Sequence, residues 1–201
     1  MKRILLIITF LLFGFSSVQA QSLDALLKGL FGSSSEQTAP SKANKPTYPT
    51  EDELIGKWVF QQLEMEYSGG DPLATVAIAS AKQQLSTLAT KAELTPGKDF
   101  IKFKGDGTLT FVSGDRKASA TYTYIPPTGM LVITLSNESE TIRVSATASV
   151  KDGKRYLMFS ADELITLAGQ SVPALREDSM FAVAQALSQT YPGITVGASF
   201  E

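Results

Sequence analysis

The chain has 201 residues, with 18 Lys or Arg against 20 Asp or Glu and a net charge of −2; no basic block stands out, so no nucleic-acid partner is expected. It contains neither Cys nor His, which excludes disulfides, a lipid-bearing N-terminal Cys, Ser-His-Asp catalysis and His-ligated zinc. Only oxygen ligands remain for a metal, and no loop spaces them as an EF-hand does, so no metal and no cofactor are expected.

Lys2 and Arg3 lead into an apolar run, Ile4 to Phe15, and then Ser16, Ser17 and Val18-Gln19-Ala20. That is the charged, apolar and small-residue order of a secretory signal. The run is too short for a membrane span. Residues 1–20 are therefore expected to be a signal peptide cleaved between Ala20 and Gln21, which places the protein in the periplasm or outside the cell. Leu23, Leu26, Leu27, Leu30 and Phe31 then fall on one helical stripe. This segment offers a membrane-surface or protein contact, or packs on its own domain. Gly32 to Pro49 is rich in Ser, Pro, Lys and Thr and reads as a flexible linker, so residues 21–49 form a short amphipathic segment plus linker.

One folded domain is expected over residues 50–201, large enough for a real core. Thr50 and Glu53 have capping-box spacing. Trp58 to Tyr67 reads as a strand whose two faces conflict. Trp58 and Phe60 start on one face, while Leu63, Met65 and Tyr67 lie on the other, which a bulge, or a strand buried on both sides at its start, would reconcile. Asp71-Pro72 starts a helix running to about Leu94, with an apolar face of Leu73, Val76, Ala77, Ala81, Leu85, Leu88, Ala89 and Ala92.

From Phe100 the period is two. Strands are predicted over Phe100–Lys104, Thr108–Val112, Ala118–Ile125, Met130–Leu135, Thr141–Val150 and Arg155–Phe159, joined by short Gly-, Asp- and Pro-rich turns in a meander. Asp152-Gly153 is a hairpin signal. Ser160 and Glu163 space a second capping box before a helix carrying Leu164, Ile165, Leu167 and Ala168. Another helix follows Pro173, with Leu175, Met180, Phe181, Ala184, Leu187 and Tyr191. Ile194–Phe200 is a last strand. Eight antiparallel strands are enough to close a barrel, and pairing of the first with the last would remove both edges.

Leu54-x-Gly56-x-Trp58 after a helical turn resembles the start of lipocalin-like, calycin-type barrels. The Phe103-x-x-Asp106-Gly107-Thr108-x-x-Phe111 hairpin and the closing Tyr191-Pro-Gly-x-x-x-Gly197 strand are similar to those of a lipocalin-like family of unknown function in exported bacterial proteins. The resemblance covers about Thr50 to Glu201. It implies a mostly β fold: an eight-stranded antiparallel lipocalin-like barrel or curved sheet with about three capping helices. The long helix after the first strand fits that family but departs from typical lipocalins, in which a loop joins the first two strands.

Candidate chemistry is sparse. Glu64 and Glu66 share a strand face, but adjacent carboxylates of this kind belong to a solvated surface more often than to a glycosidase pair. Gly105-Asp106-Gly107 lacks the third glycine and the helix of a phosphate loop, which makes it a hairpin turn. Asn137-Glu138-Ser139 matches a glycosylation sequon and reads as a turn. No Ser sits in a nucleophile elbow, and no catalytic residue is assigned. Phe103, Phe111, Tyr122 and Tyr124 are the candidates for lining a ligand cavity. The expected function is non-catalytic binding of a small apolar or amphipathic ligand. The alternative is a structural or interaction module with a filled core that docks through Leu23, Leu26, Leu27, Leu30 and Phe31.

Overall fold

The computed structural model describes residues 46–201, apart from 83, 84, 92, 137–140 and 172–178. The expected leader and its expected Ala20–Gln21 cleavage point, the stripe of Leu23, Leu26, Leu27, Leu30 and Phe31, the sequon and Leu175 lie outside the described residues.

Thr50 caps α1 (Glu51–Leu54): its hydroxyl accepts from the Glu53 amide, and the Glu53 carboxylate accepts from the Thr50 amide at 2.7 Å. The capping box therefore closes as its spacing predicts. Two bonds from Thr50 hold the Glu53 carboxyl below its ordinary value. From Gly56 the chain enters β1 (Gly56–Tyr67) and continues through β2 (Phe100–Phe103), β3 (Thr108–Ser113), β4 (Arg116–Ile125), β5 (Met130–Ser136), β6 (Thr141–Lys151), β7 (Lys154–Ser160) and β8 (Ile194–Phe200). The eight strands form a closed barrel in sequence order, every neighbouring pair antiparallel.

β1 closes the barrel by pairing on both sides. Gly56–Val59 run beside β2, and Phe60–Tyr67 beside β8. The register slips between Phe60 and Gln62. This bulge moves the inward face from Trp58 and Phe60 to Leu63, Met65 and Tyr67, so both apolar half-faces of the sequence point into the barrel.

Beyond Phe60, β2 no longer accompanies β1. There α2 (Pro72–Lys82) and α3 (Leu85–Lys91) pack against it. Asp71 caps α2, its carboxylate accepting from the Leu73 amide at 2.8 Å. The buried face of this helical insertion is Ala74, Ile78, Leu85 and Ala89, whereas Leu73 is 67% exposed and Val76 52%. The expected stripe is thus corrected at its start. An Ala-rich helix has weak contrast between its sides, and the neighbouring strand selects the face that touches it.

α4 (Ala161–Ser171) follows β7 and sends Leu164 and Ala168 into the main core; α5 (Ser179–Thr190) packs on α4. At Glu163 half of the expected capping box forms, its amide donating to the Ser160 hydroxyl at 3.5 Å. Its carboxylate instead accepts from the Ser145 amide of β6 at 3.0 Å, an amide beyond the last register pair of β7, Ala146–Phe159. A strand amide left without its ladder partner takes the carboxylate that the second half of the box would have used.

The core fills the barrel. Trp58, Phe103, Leu109, Leu131, Ile133, Leu135, Leu157 and Phe159 are buried in one cluster that also contains Leu54 and Phe200. The Trp58 indole N–H donates to the Leu54 carbonyl at 3.0 Å, and its ring meets Phe103 edge-on at 5.1 Å. A second cluster of Met65, Ile78, Leu85, Ala161 and Ile194 joins β1 and β8 to the helices.

Candidate functional site

Packing extends back past Thr50. Thr47 bridges to Val150 of β6, Pro49 is fully buried, and the Tyr124 hydroxyl donates to the Pro49 carbonyl. Burial, with the nearby Glu53 charge, pushes the Tyr124 hydroxyl up to about 12. Residues 46–50 thus form a strap beside β6. It crosses Gly129, which follows a short 3-10 turn in the left-handed region at φ 67°. A Cβ at Gly129 would lie 2.4 Å from the Tyr48 ring and 2.5 Å from the Ala148 carbonyl. The strap therefore lies this close only because the turn ends in glycine. Linker-like composition hid this, because the strap is held mainly through its backbone groups, at Thr47 and Pro49, rather than by an apolar run.

Strap and helix frame a groove of about 700 Å³ on the outer surface of the barrel. Its walls are Pro46 and Tyr48 of the strap and Thr75, Ile78 and Lys82 of α2; its floor is made by outward residues of four strands, including Thr147, Met158, Thr195 and Glu66. These positions alternate with the inward Ala146, Ala148, Leu157 and Phe159 of the core, which is why they face outward. Met158 is an apolar residue buried on that outer side. Glu66 and Lys82 add one charge of each sign. A smaller groove of about 440 Å³ lies between the β1 bulge and α3, lined by Gln61, Leu63, Glu64, Leu85 and Ala89 among others, with Lys82 shared by both grooves. There the Gln62 amide donates to Glu64 at 2.7 Å.

The four aromatic candidates lie elsewhere. Phe103 and Phe111 are buried in the core; Tyr122 packs against it, edge-on to Phe103 at 5.3 Å. Its hydroxyl donates to the Lys104 carbonyl at 2.7 Å, and burial raises its pKa. Tyr124 anchors the strap. None of the four lines either groove. Glu64 and Glu66 fall one on each groove, Gly105-Asp106-Gly107 is a turn whose Asp106 carboxylate accepts from the Thr108 amide at 2.9 Å, and among the described residues no carboxylate cluster could hold a metal. Asp99, singled out by no sequence motif, is 2% exposed. It accepts from the Thr95 amide, the Ser113 hydroxyl and the Gly114 amide, tying the loop after α3 to the β3–β4 turn.

Residues 27–201 match the family model described as Lipocalin-like domain (DUF4923). The chain belongs to this family. No curated protein and no solved structure matches it. Within this lipocalin-like domain, the barrel interior is packed with side chains, and the two grooves lie where the α2–α3 insertion meets β1. This insertion is the feature by which the sequence departs from the usual lipocalin pattern.

Proposed function

We propose that this protein is an exported, non-catalytic lipocalin-like binder that holds a small apolar or amphipathic molecule in the groove between the strap and α2. The observation that carries this reading is the groove itself: about 700 Å³, with Tyr48, Ile78 and Met158 as apolar surface and only Glu66 and Lys82 charged among its lining residues. Its volume lies within the range of small-molecule sites, which combine an apolar lining with a few polar groups. The leader at residues 1–20 supports export. Absence of Cys and His from the whole chain, together with the family membership, supports a non-catalytic role.

The test is native mass spectrometry of protein purified from its own host, beside a Thr147→Arg variant. Thr147 is exposed on β6, so the long charged side chain obstructs the groove without entering the core. A co-purifying lipid-sized mass that is lost in the variant supports the reading. A mass retained unchanged, or none in either protein, overturns it. The packed barrel favours the second reading, a structural or interaction module with a filled core. On that reading no ligand co-purifies and a protein partner does.

A further inference from the structure

Before its bulge β1 turns Lys57 and Val59 outward, and after it Gln62, Glu64 and Glu66. One strand thus contributes to a basic side and to an acidic side of the barrel. On the basic side Lys57 lies directly opposite Lys102 of β2, a cross-strand placement in which like charges repel. Lys104 stands two residues further along the chain, and Lys117 of β4 pairs with Val112, itself the partner of Phe100. All four lysines are exposed, and none has an ion-pair partner among the described residues. Between them lie half-buried Val59, Phe100 and Val112, with the Lys57 Nζ 4.2 Å from the centre of the Phe100 ring. Carboxylates stand around this side on α1, on turns and at the chain end, at Glu51, Asp106, Asp115 and Glu201, rather than at outward positions of its strands. We propose that this outer side of β1–β4 docks the barrel on an anionic lipid surface, its four lysines meeting the headgroup phosphates.

Charge supports this partner. A chain of net charge −2 is repelled as a whole by an anionic surface, so attraction needs basic residues gathered apart from the acidic ones. Clusters of four or more lysines are what an anionic leaflet attracts. Shape favours a flat partner over a threaded polymer. The lysines spread over three strands in two dimensions, and neither groove includes any of them. At the rim Ile55 is 41% exposed, and its Cδ1 would lie 3.3 Å from a Cβ at Gly105, next to Lys104. An apolar tip beside lysines suits the interfacial layer of a bilayer, where lysine stems lie along apolar groups and the charged ends reach outward. In a closed ring of eight strands, β2 and β3 stand across from β6 and β7. The docked barrel therefore turns the groove between strap and α2 away from the surface, and docking does not compete with binding there.

Co-sedimentation with vesicles of phosphatidylcholine carrying roughly one third phosphatidylglycerol tests this on the purified chain without its expected leader. Each lysine at such a surface is worth about fivefold in binding. Lys57→Gln with Lys102→Gln should weaken binding about 25-fold and leave the thermal midpoint unmoved or higher, since a repelling pair is gone. Lys104→Gln and Lys117→Gln should each weaken it about fivefold. Lys151→Gln with Lys154→Gln, the same change of charge at the β6–β7 turn, should have little effect. Binding should be absent from pure phosphatidylcholine and fade as salt rises from about 0.1 M to about 1 M. No binding to the anionic vesicles overturns the proposal, as does an equal loss in the Lys151 and Lys154 double variant. Binding that survives replacement of all four lysines overturns it too, and assigns the contact to another part of the chain. Retention on heparin without vesicle binding also overturns it, and assigns the basic side to a polyanionic chain.

Discussion

Replacing Trp58 tests how the start of β1 is held against the core. Its ring is fully buried, with Phe103 at 5.1 Å, Phe200 at 5.9 Å and the Arg155 guanidinium 5.4 Å above its face. The indole N–H satisfies the Leu54 carbonyl at the end of α1. Trp58→Ala removes the ring and leaves a cavity lined by Phe103 and Phe200, for an expected loss of about 3–5 kcal/mol. Trp58→Phe keeps most of the apolar volume but leaves the Leu54 carbonyl without its donor, at a cost of about 1–3 kcal/mol. Urea melts followed by circular dichroism measure both, with the midpoint falling and the slope unchanged. In a domain of this size the Ala variant should melt lower by roughly 6–20 °C. Arg155→Gln should cost about 0.5–1 kcal/mol in the native background and nothing once Trp58 is Ala, since the ring it covers is gone. A loss below about 1 kcal/mol for Trp58→Ala, or an Arg155 effect that persists without the ring, would refute the packing argument.

Leu85→Ala should cost about 2–5 kcal/mol, because Leu85 joins Met65 and Ile78 in the second cluster, while Val76→Ala on the exposed side of α2 should change stability by no more than about 0.5 kcal/mol; equal effects in thermal melts would contradict the observed helix face. Gly197→Ala places a Cβ 1.9 Å from the Leu157 carbonyl oxygen, and the forced separation of β7 from β8 should cost about 1–3 kcal/mol; a variant as stable as the parent in urea would count against so close an approach. For Tyr124 the folded value of about 12 lies above the ordinary 10.0. The folded state therefore holds this proton more tightly, its contribution is full below pH 10, and it is lost as pH rises from about 10 to 12. Tyr124→Phe should lower stability near neutrality by about 1 kcal/mol and flatten that alkaline decline; an identical slope in both proteins between pH 10 and 12 would exclude Tyr124 as its source.

Much of the fold is written in local pattern. Period-two alternation in Ile142, Val144, Ala146 and Ala148 names the core face of β6 because one side of that strand must be dry. The conflict between Trp58 with Phe60 and Leu63 with Met65 called for a bulge in β1 or a start buried on both sides, and the structure has the bulge, between Phe60 and Gln62. The Thr50 cap and the turns at Asp106-Gly107 and Asp152-Gly153 are equally local, since donor and acceptor lie within a few residues. The leader at residues 1–20 is a reading of the sequence alone. Tertiary structure decided the rest, wherever partners are distant in the chain. It set the rotation of α2, where Ala74 and Ile78 rather than Leu73 and Val76 meet β1, and it sent Glu163 to the Ser145 amide. It also turned the linker-like residues 46–49 into a strap through Val150, Gly129 and Tyr124. The outer groove is the extreme case: Thr147, Met158, Thr195 and Glu66 each occupy the polar phase of a strand, and only closure of the barrel brings them together under α2. Alternation tells which residues point outward, but it carries no information about which outward residues become neighbours.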